Sequence, residues 1–290
     1  MDWLVSPMPV CRKGKETNME KLNKLRNDLD MCDEVIIDML RMRFQIVQEI
    51  ANYKQENGMP IVQTHEEQQK KEKFSKKLED YKYDKNIMKV FDSMIFQAKR
   101  IQSRELFGFN IFLIGFMGVG KSTISQTFKE VFAMDVIEMD QIIAENNGMS
   151  ISEIFEFHGE PYFRQEETNL LRDCAGKHNK IISCGGGVAM RQENVDEMKK
   201  SGKIVLLTAE PKTILGRVKG SHDRPLLENN KTEGYISQLM DARRPAYEAA
   251  ADVVIHTDGK STYEICEDIV SSISDLIRAE TAAGKAAASV

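Results

Sequence analysis

Several features are missing from this chain, and each absence excludes something. The five cysteines (Cys11, Cys32, Cys174, Cys184, Cys266) are odd in number, scattered and never spaced as C-x-x-C. That excludes a disulfide frame or a cysteine zinc site and suits reduced thiols in a cytosol. The five histidines (His65, His158, His178, His222, His256) show no metal-ligand spacing. Basic charge is not in excess: 40 Lys and Arg stand against 45 Asp and Glu, a net −5. This argues against a general nucleic-acid binder and confines anion sites to local clusters. No apolar run reaches the length of a membrane span. The opening M-D-W-L-V-S-P-M-P-V-C-R-K-G-K lacks the apolar core of a signal peptide. Residues 1–18 read as a disordered lead, with Met19 an alternative start. Repeats and low-complexity segments are absent except for an Ala-rich tail, 282–290, expected to fray. What remains is ordinary for a soluble, cytoplasmic globular protein: 41% hydrophobic and 29% charged residues, in 290 residues, enough for two domains.

The chain is organised around Gly115 to Thr123, G-F-M-G-V-G-K-S-T, which fulfils the phosphate-loop pattern G-x-x-x-x-G-K-[ST]. The apolar run Ile111–Ile114 before it reads as a buried strand, and a helix-compatible stretch follows from Ser122. Gly115, Gly118 and Gly120 allow a tight turn whose N–H groups, with the helix N-terminus, make a nest for phosphate oxygens. Gly118, Val119, Gly120, Lys121, Ser122 and Thr123 are the nucleotide-binding candidates. Lys121 aims charge at the β- and γ-phosphates of ATP, and the Ser122 hydroxyl is the candidate ligand for Mg²⁺.

Residues 19–107 carry no strand signal. Leu22, Leu25, Leu29, Cys32, Ile36, Met39, Ile46, Ile50 and Tyr53 recur at spacings of three and four, one face of a long helix. Arg43 interrupts this seam. A guanidinium there needs either an internal ion pair or an anionic ligand, and spacing alone leaves both open. Lys54, eleven residues on, returns to nearly the same face. Gly58-Met59-Pro60 stops the helix. A second, highly charged helix is expected over Thr64–Leu78. A third is expected over Lys85–Leu106, with Ile87, Val90, Phe91, Met94, Ile95 and Ile101 turned to a core. Such unequal helices make a poor monomeric bundle and suggest a homodimer.

L-x-x-L-R at Leu22 to Arg26, Asp33-Glu34, Arg43, Lys54, Pro60, Glu67 and Gln102 together resemble the all-helical chorismate mutase family over residues 20–106. The resemblance implies a three-helix all-α domain in which Arg26, Arg43 and Lys54 hold the carboxylates and ether oxygen of chorismate. Glu67 and Gln102 would complete the pocket. Arg43 and Lys54 would then be catalytic by preorganising a dianion and stabilising charge on the breaking ether bond, with no acid, base or nucleophile. Arg26 and Arg43 lie ~25 Å apart along one helix. If both touch one substrate, Arg26 comes from a partner chain. Gln63 and Ala98 depart from the family pattern, where an acid and a serine are common.

Gly108 fits a helix C′ cap, and no Gly/Ser- or Pro-rich linker follows. From there to residue 281, apolar runs alternate with helical stretches: Ile111–Ile114, Val136–Met139, Lys180–Ser183, Ile204–Leu207 and Asp252–Ile255. They predict an α/β domain with a five-stranded parallel sheet and ligands at the strands' carboxyl ends. The phosphate loop, Glu138-x-Asp140, Phe163 to Glu167 (F-R-x-x-E), Gly185-Gly186-Gly187, Arg224 to Leu227 (R-P-L-L) and Arg243 to Tyr247 (R-x-P-x-Y) resemble shikimate kinase over most of 108–281. That resemblance implies ATP and Mg²⁺ as cofactors, with Arg164 and Arg243 on the shikimate carboxylate. Glu167 would brace Arg164, and the Gly186 and Gly187 amides would lie against the ring. Asp140 would take the reacting hydroxyl's proton. Arg224, in a lid over Lys219–Lys231, would reach the transferring phosphates, and Arg217 would meet the adenine side. Alone, Asp140 could as well be a helix N-cap, and Arg164 a surface arginine. Glu138 stands where the family has aspartate.

The expected division is a lead over 1–18, a mutase domain over 19–107 and a kinase domain over 108–281. Two rivals are open on sequence: a monofunctional kinase whose helices only dimerise or bind an effector, and a phosphate-loop kinase for another polyol.

Overall fold

The computed structural model describes residues 17–57, 59, 64–218 and 232–288. Residues 1–16 of the lead, Gly58, Pro60, Gln63 and the segment 219–231 with Arg224 lie outside the described residues. The chain forms two compact units, 1–50 and 51–290.

The first unit is most of helix α1 (Asn18–Glu56). A capping box starts it: Glu20 N–H donates to the Thr17 hydroxyl (3.3 Å) and Thr17 N–H to the Glu20 carboxylate (2.8 Å). The apolar stripe forms as a stripe but is not covered, with Leu25, Leu29, Ile36 and Met39 each more than half exposed.

The second unit holds the end of α1, helices α2 (Thr64–Lys77) and α3 (Asp84–Leu106), and the sheet with its helices. Phe74 packs edge-on against Phe91, and Lys71 pairs with Asp92 at 2.8 Å, joining α2 to α3. Ile95 and Ala98 are buried, but Val90 is 70% exposed and Ile87 41%, contrary to the expected core face. The buried stripe runs three and four residues apart through Phe91, Ile95 and Ala98; Ile87 lies on its extension in the first turn of α3, and Val90 sits beside it. Gly108 has no positive φ, so it is not the left-handed terminator expected. The helix end is closed instead by Asn179, in the left-handed region at φ 56°, whose amide donates to Ser103 O (2.9 Å), Ser103 Oγ (2.9 Å) and Phe107 O (3.1 Å). Through these bonds the expected division at 107/108 falls inside one compact unit.

Five strands, β1 (Asn110–Ile114), β2 (Asp135–Glu138), β3 (Lys180–Ser183), β4 (Gly202–Thr208) and β5 (Val253–His256), form one parallel sheet in the order β2-β3-β1-β4-β5. Strand β1 reads N-I-F-L-I and is buried throughout, as a central parallel strand must be. Ile111 and Leu113 pack on one face with Phe128 of α4 (Lys121–Phe132) and Ile269 of α11 (Thr262–Ala288). Phe112 and Ile114 pack on the other with Leu171 of α7 (Gly159–Cys174), Met198 of α8 (Gln192–Ser201) and Tyr247 of α10 (Glu233–Ala250). Helices α5 (Met139–Asn147), α6 (Ile151–Phe157) and α9 (Pro211–Val218) complete the unit. Residues 282–288 of the Ala-rich end are helical and form the last turns of α11, as the high helix propensity of alanine favours. Among the described residues no helix is long and apolar enough to cross a membrane. The order reverses about β1, which places a ligand crevice at its carboxyl end.

Candidate active sites

The loop between β1 and α4 occupies that crevice. Gly115 has φ 137°, and a Cβ on it would lie 2.4 Å from Leu207 O, so the position admits only glycine. Gly120 caps α4 with no side chain, leaving the first-turn N–H groups open to an anion. Lys121 Nζ donates to the loop's own carbonyls, Gly115 O at 2.8 Å and Phe116 O at 3.2 Å. The Ser122 hydroxyl donates to Glu138 Oε2 at 2.8 Å, and the buried Ser125 hydroxyl bonds the other oxygen of the same carboxylate. Gly118, Val119, Gly120, Lys121, Ser122, Thr123, Glu138, Asp140, Gly186 and Arg217 all line one cleft of about 780 Å³. Arg217 donates to Val119 O at 2.8 Å, so it lies against the loop. Among the described residues no cluster of three or more His, Cys, Asp or Glu could hold a metal by itself. The oxygen set around Ser122 suits Mg²⁺, which keeps several waters and takes phosphate ligands.

The acceptor-side residues meet at the end of β3. Asp140 is in the first turn of α5, and Glu138 holds the N-cap position, so Asp140 is not the cap. Arg164 is not a free surface arginine: Nη1 pairs with Glu167 at 2.9 Å, Nη2 with Glu160 at 2.7 Å, and the guanidinium lies 5.4 Å from the Phe163 ring. Its fork presses on Gly187, where a Cβ would be 2.4 Å from Nη1. Arg243 reaches the adjacent residue, with Nη1 3.5 Å from Gly186 O and the guanidinium 5.8 Å over Phe116. Tyr247 donates to the same carbonyl at 2.5 Å. Two arginines from different helices thus converge on Gly186 and Gly187, beside Asp140. Glu167 is fully buried, and its Oε1 has no hydrogen-bond partner among the described residues. Burial pushes its pKa up to about 7 against the pull of Arg164, with the Asp140 charge adding to the rise.

The helical residues divide between the units. In the first, Arg26 is exposed, while Arg43 is half-buried with Nη1 unpartnered among the described residues. In the second, Lys54 is buried at 9% exposure; burial lowers its pKa, and Glu66 and Glu67 oppose the shift. Glu67 pairs with Lys99 at 2.7 Å, and Gln102 is half-buried on α3.

A shikimate kinase family model matches residues 117–274. The chain belongs to the shikimate kinase family. It is 39% identical to a shikimate kinase of Dehalococcoides mccartyi over 57% of this chain and 93% of that protein. It is 40% identical to one from Geobacter sulfurreducens over 59% and 92%. Among solved structures it resembles shikimate kinase from Acinetobacter baumannii in complex with shikimate (TM-score 0.54, 29% identity, 57% of this chain and 92% of that one). It also resembles that from Bacteroides thetaiotaomicron (TM-score 0.51, 30% identity, 59% and 98%). Residues 25–103 match the model for chorismate mutase type II. One chain therefore carries a shikimate kinase domain and a chorismate mutase domain.

Several residues at these sites were not singled out on sequence. Tyr247 closes the quoted R-x-P-x-Y motif, so its signal was present. Ser125, Phe116, Lys260, Thr262 and Ile265 line or support the cleft with no local pattern to mark them. Lys99 is one lysine on a charged helix, and only the tertiary pairing with Glu67 distinguishes it.

Proposed function

We propose that this chain transfers the γ-phosphoryl group of ATP to shikimate, giving shikimate 3-phosphate, and rearranges chorismate to prephenate. The observation that carries the kinase assignment is the convergence of Arg164 and Arg243 on Gly186–Gly187 beside Asp140 and Lys121. A carboxylated ring is gripped by the two guanidinium groups and rests on the glycine backbone. Asp140 accepts the proton of the reacting hydroxyl. Lys121 turns from its loop carbonyls to the phosphates, and the α4 N-terminus and loop amides hold the rest of their charge. Arg217 packs at the nucleobase side, and Arg224 is assigned to the transferring phosphates from the segment before α10. Ser122 would hold Mg²⁺, which would neutralise phosphate charge there; Glu138 is tied to Ser122 and Ser125.

For the mutase, Arg43 and Lys54 supply the cations that compress the dianion and stabilise the ether oxygen, and Glu67 and Gln102 complete the pocket. The unpartnered Arg43 Nη1 and the buried Lys54 favour this over a helical module that only dimerises, which needs no desolvated cations. The open apolar stripe of α1 and the ~25 Å between Arg26 and Arg43 on one helix favour a homodimer with Arg26 donated across it. The protein is assigned to the cytoplasm. Two assays on one purified sample test the reading: ADP release from ATP and shikimate, and loss of chorismate. Phosphorylation of gluconate but not shikimate overturns the kinase half. Unchanged chorismate turnover in Arg43→Ala overturns the mutase half, and a fully active monomer overturns the shared site.

A further inference from the structure

Lys99 touches two elements at once. Its ammonium pairs with Glu67 on α2 at 2.7 Å and donates to the Glu130 carbonyl, in the last turn of α4, at 3.1 Å. The first residue of α4 is Lys121 of the phosphate loop, so one cation fixes a helical-pocket carboxylate to the helix that carries the nucleotide site. Its side chain is only 17% exposed and that of Glu67 32%, which makes the pair less screened than a surface bridge. Lys54 is the competing partner. Glu66 and, more weakly, Glu67 act on Lys54 electrostatically, and Lys54 is the more deeply buried of the two lysines.

We infer that Lys99 is a positioning residue of the mutase pocket: it holds Glu67 away from Lys54 and so leaves the Lys54 charge free for the substrate dianion. This rests on the mutase reading above. An ammonium with two fixed acceptors is preorganised, and it spends no substrate binding energy on placing Glu67. Without Lys99, Glu67 turns to Lys54, whose charge it already feels, and the pocket loses net positive charge before chorismate arrives. The acceptor on α4 makes the kinase half part of the mutase pocket's support. This is a physical reason for the two activities to share one chain although their reactions are not consecutive.

The test is a double-mutant cycle in the full-length chain, read by chorismate turnover and by calorimetric titration with chorismate. Lys99→Met keeps the length of the side chain and removes the charge. It is expected to lower mutase kcat/KM about tenfold, mostly through KM, as for a lost charge-assisted contact. In a Glu67→Gln background the same substitution is expected to change nothing further, because the competitor for Lys54 is already gone. Lys99→Arg is expected to recover most of the loss. Shikimate phosphorylation stays within about twofold of wild type, which also reports on folding. Independent, multiplying losses in the double variant, or a Lys99→Met enzyme with wild-type KM, overturn the inference while leaving the mutase reading standing. A wild-type chain that neither converts nor binds chorismate removes the mutase reading and this inference together.

Discussion

Gly187→Ala is the most discriminating perturbation of the kinase site. Gly187 has φ −103° and ψ −7°, which any residue adopts, so alanine brings no backbone strain. The added methyl would lie 2.4 Å from Arg164 Nη1, 2.6 Å from Cζ and 2.8 Å from Nη2. Relief to an ordinary contact needs the guanidinium to withdraw by about 1 Å. That motion takes Nη1 beyond hydrogen-bond range of Glu167, now at 2.9 Å, and moves the fork from the position assigned to the shikimate carboxylate. A charge-assisted contact is worth about 1.5–3 kcal/mol, so kcat/KM for shikimate should fall roughly 10- to 100-fold. The loss should appear in KM for shikimate, with KM for ATP unchanged and the melting temperature within a few degrees of wild type. Steady-state kinetics with each substrate varied in turn, plus thermal melts, measure all three. An unaltered KM for shikimate, or equal losses for both substrates in an intact fold, would falsify the placement of Arg164 against the acceptor.

Three further outcomes follow from the geometry. Glu167 titrates near 7 in the folded chain against 4.5 ordinarily, so its contribution to stability is complete below about pH 4.5 and lost as pH rises to about 7; it amounts to on the order of 3 kcal/mol, and Glu167→Gln should flatten that slope in urea titrations. The same substitution should weaken shikimate binding at pH 8 by freeing Arg164 from its buried partner. Asn179→Ala removes the donor to three acceptors and leaves alanine at φ 56°, for a loss of about 3 kcal/mol; Asn179→Gly keeps the left-handed freedom and should be about 1 kcal/mol less damaging in equilibrium unfolding. Ser122→Ala should abolish the gain in ADP affinity that Mg²⁺ confers, read by calorimetry with and without the metal, while shikimate binding is retained.

The sheet was legible because each parallel strand is a short apolar run bounded by polar residues, and all five expected runs are strands within two residues of their expected ends. The phosphate loop was legible because its geometry is local: glycine spacing and one lysine specify it. The lateral relations were less so. Asp140, Arg164 and Arg243 come from three helices, and only the resemblance to a family brought them together on paper. Gly108 was misread because a helix can be ended by a side chain seventy residues away, here Asn179, as well as by its own C′ residue. Val90 was misplaced because apolar spacing finds a stripe but not its centre when two adjacent stripes are both apolar, and Ile87 because it lies on the buried stripe in the first turn of α3, where the stripe runs out to solvent. Glu160 was passed over as one acid among many, and its grip on Arg164 depends on a turn of α7 that spacing alone does not distinguish from solvent.

The cations assigned to substrates differ from the structural ones in how they are held. Arg100 and Lys180 share the Asp135 carboxylate, and Arg172 and Arg191 share Glu193; these are ion pairs that fasten elements together. Arg243 rests on a long contact to Gly186 O, a bond with Tyr247 and the face of Phe116, and Arg43 Nη1 on nothing among the described residues. A carbonyl satisfies a donor without neutralising its charge, so each can turn to an anion at the cost of a weak neutral contact instead of an ion pair. Arg164 is the exception, and its exception is informative. Its partner Glu167 is the one buried carboxylate pushed up to about 7, so the pair is already partly relaxed near neutral pH. A chain with net charge −5 thus attracts small anions by keeping a few cations only lightly satisfied. On this reasoning Arg243 supplies more of the binding free energy for shikimate than Arg164, which mainly sets its orientation: Arg243→Met should raise KM more than Arg164→Met, and Arg164→Met should lower kcat more. The reverse split in steady-state kinetics would show that the ion-paired arginine is the anchor and that the partner of a cation does not predict its use.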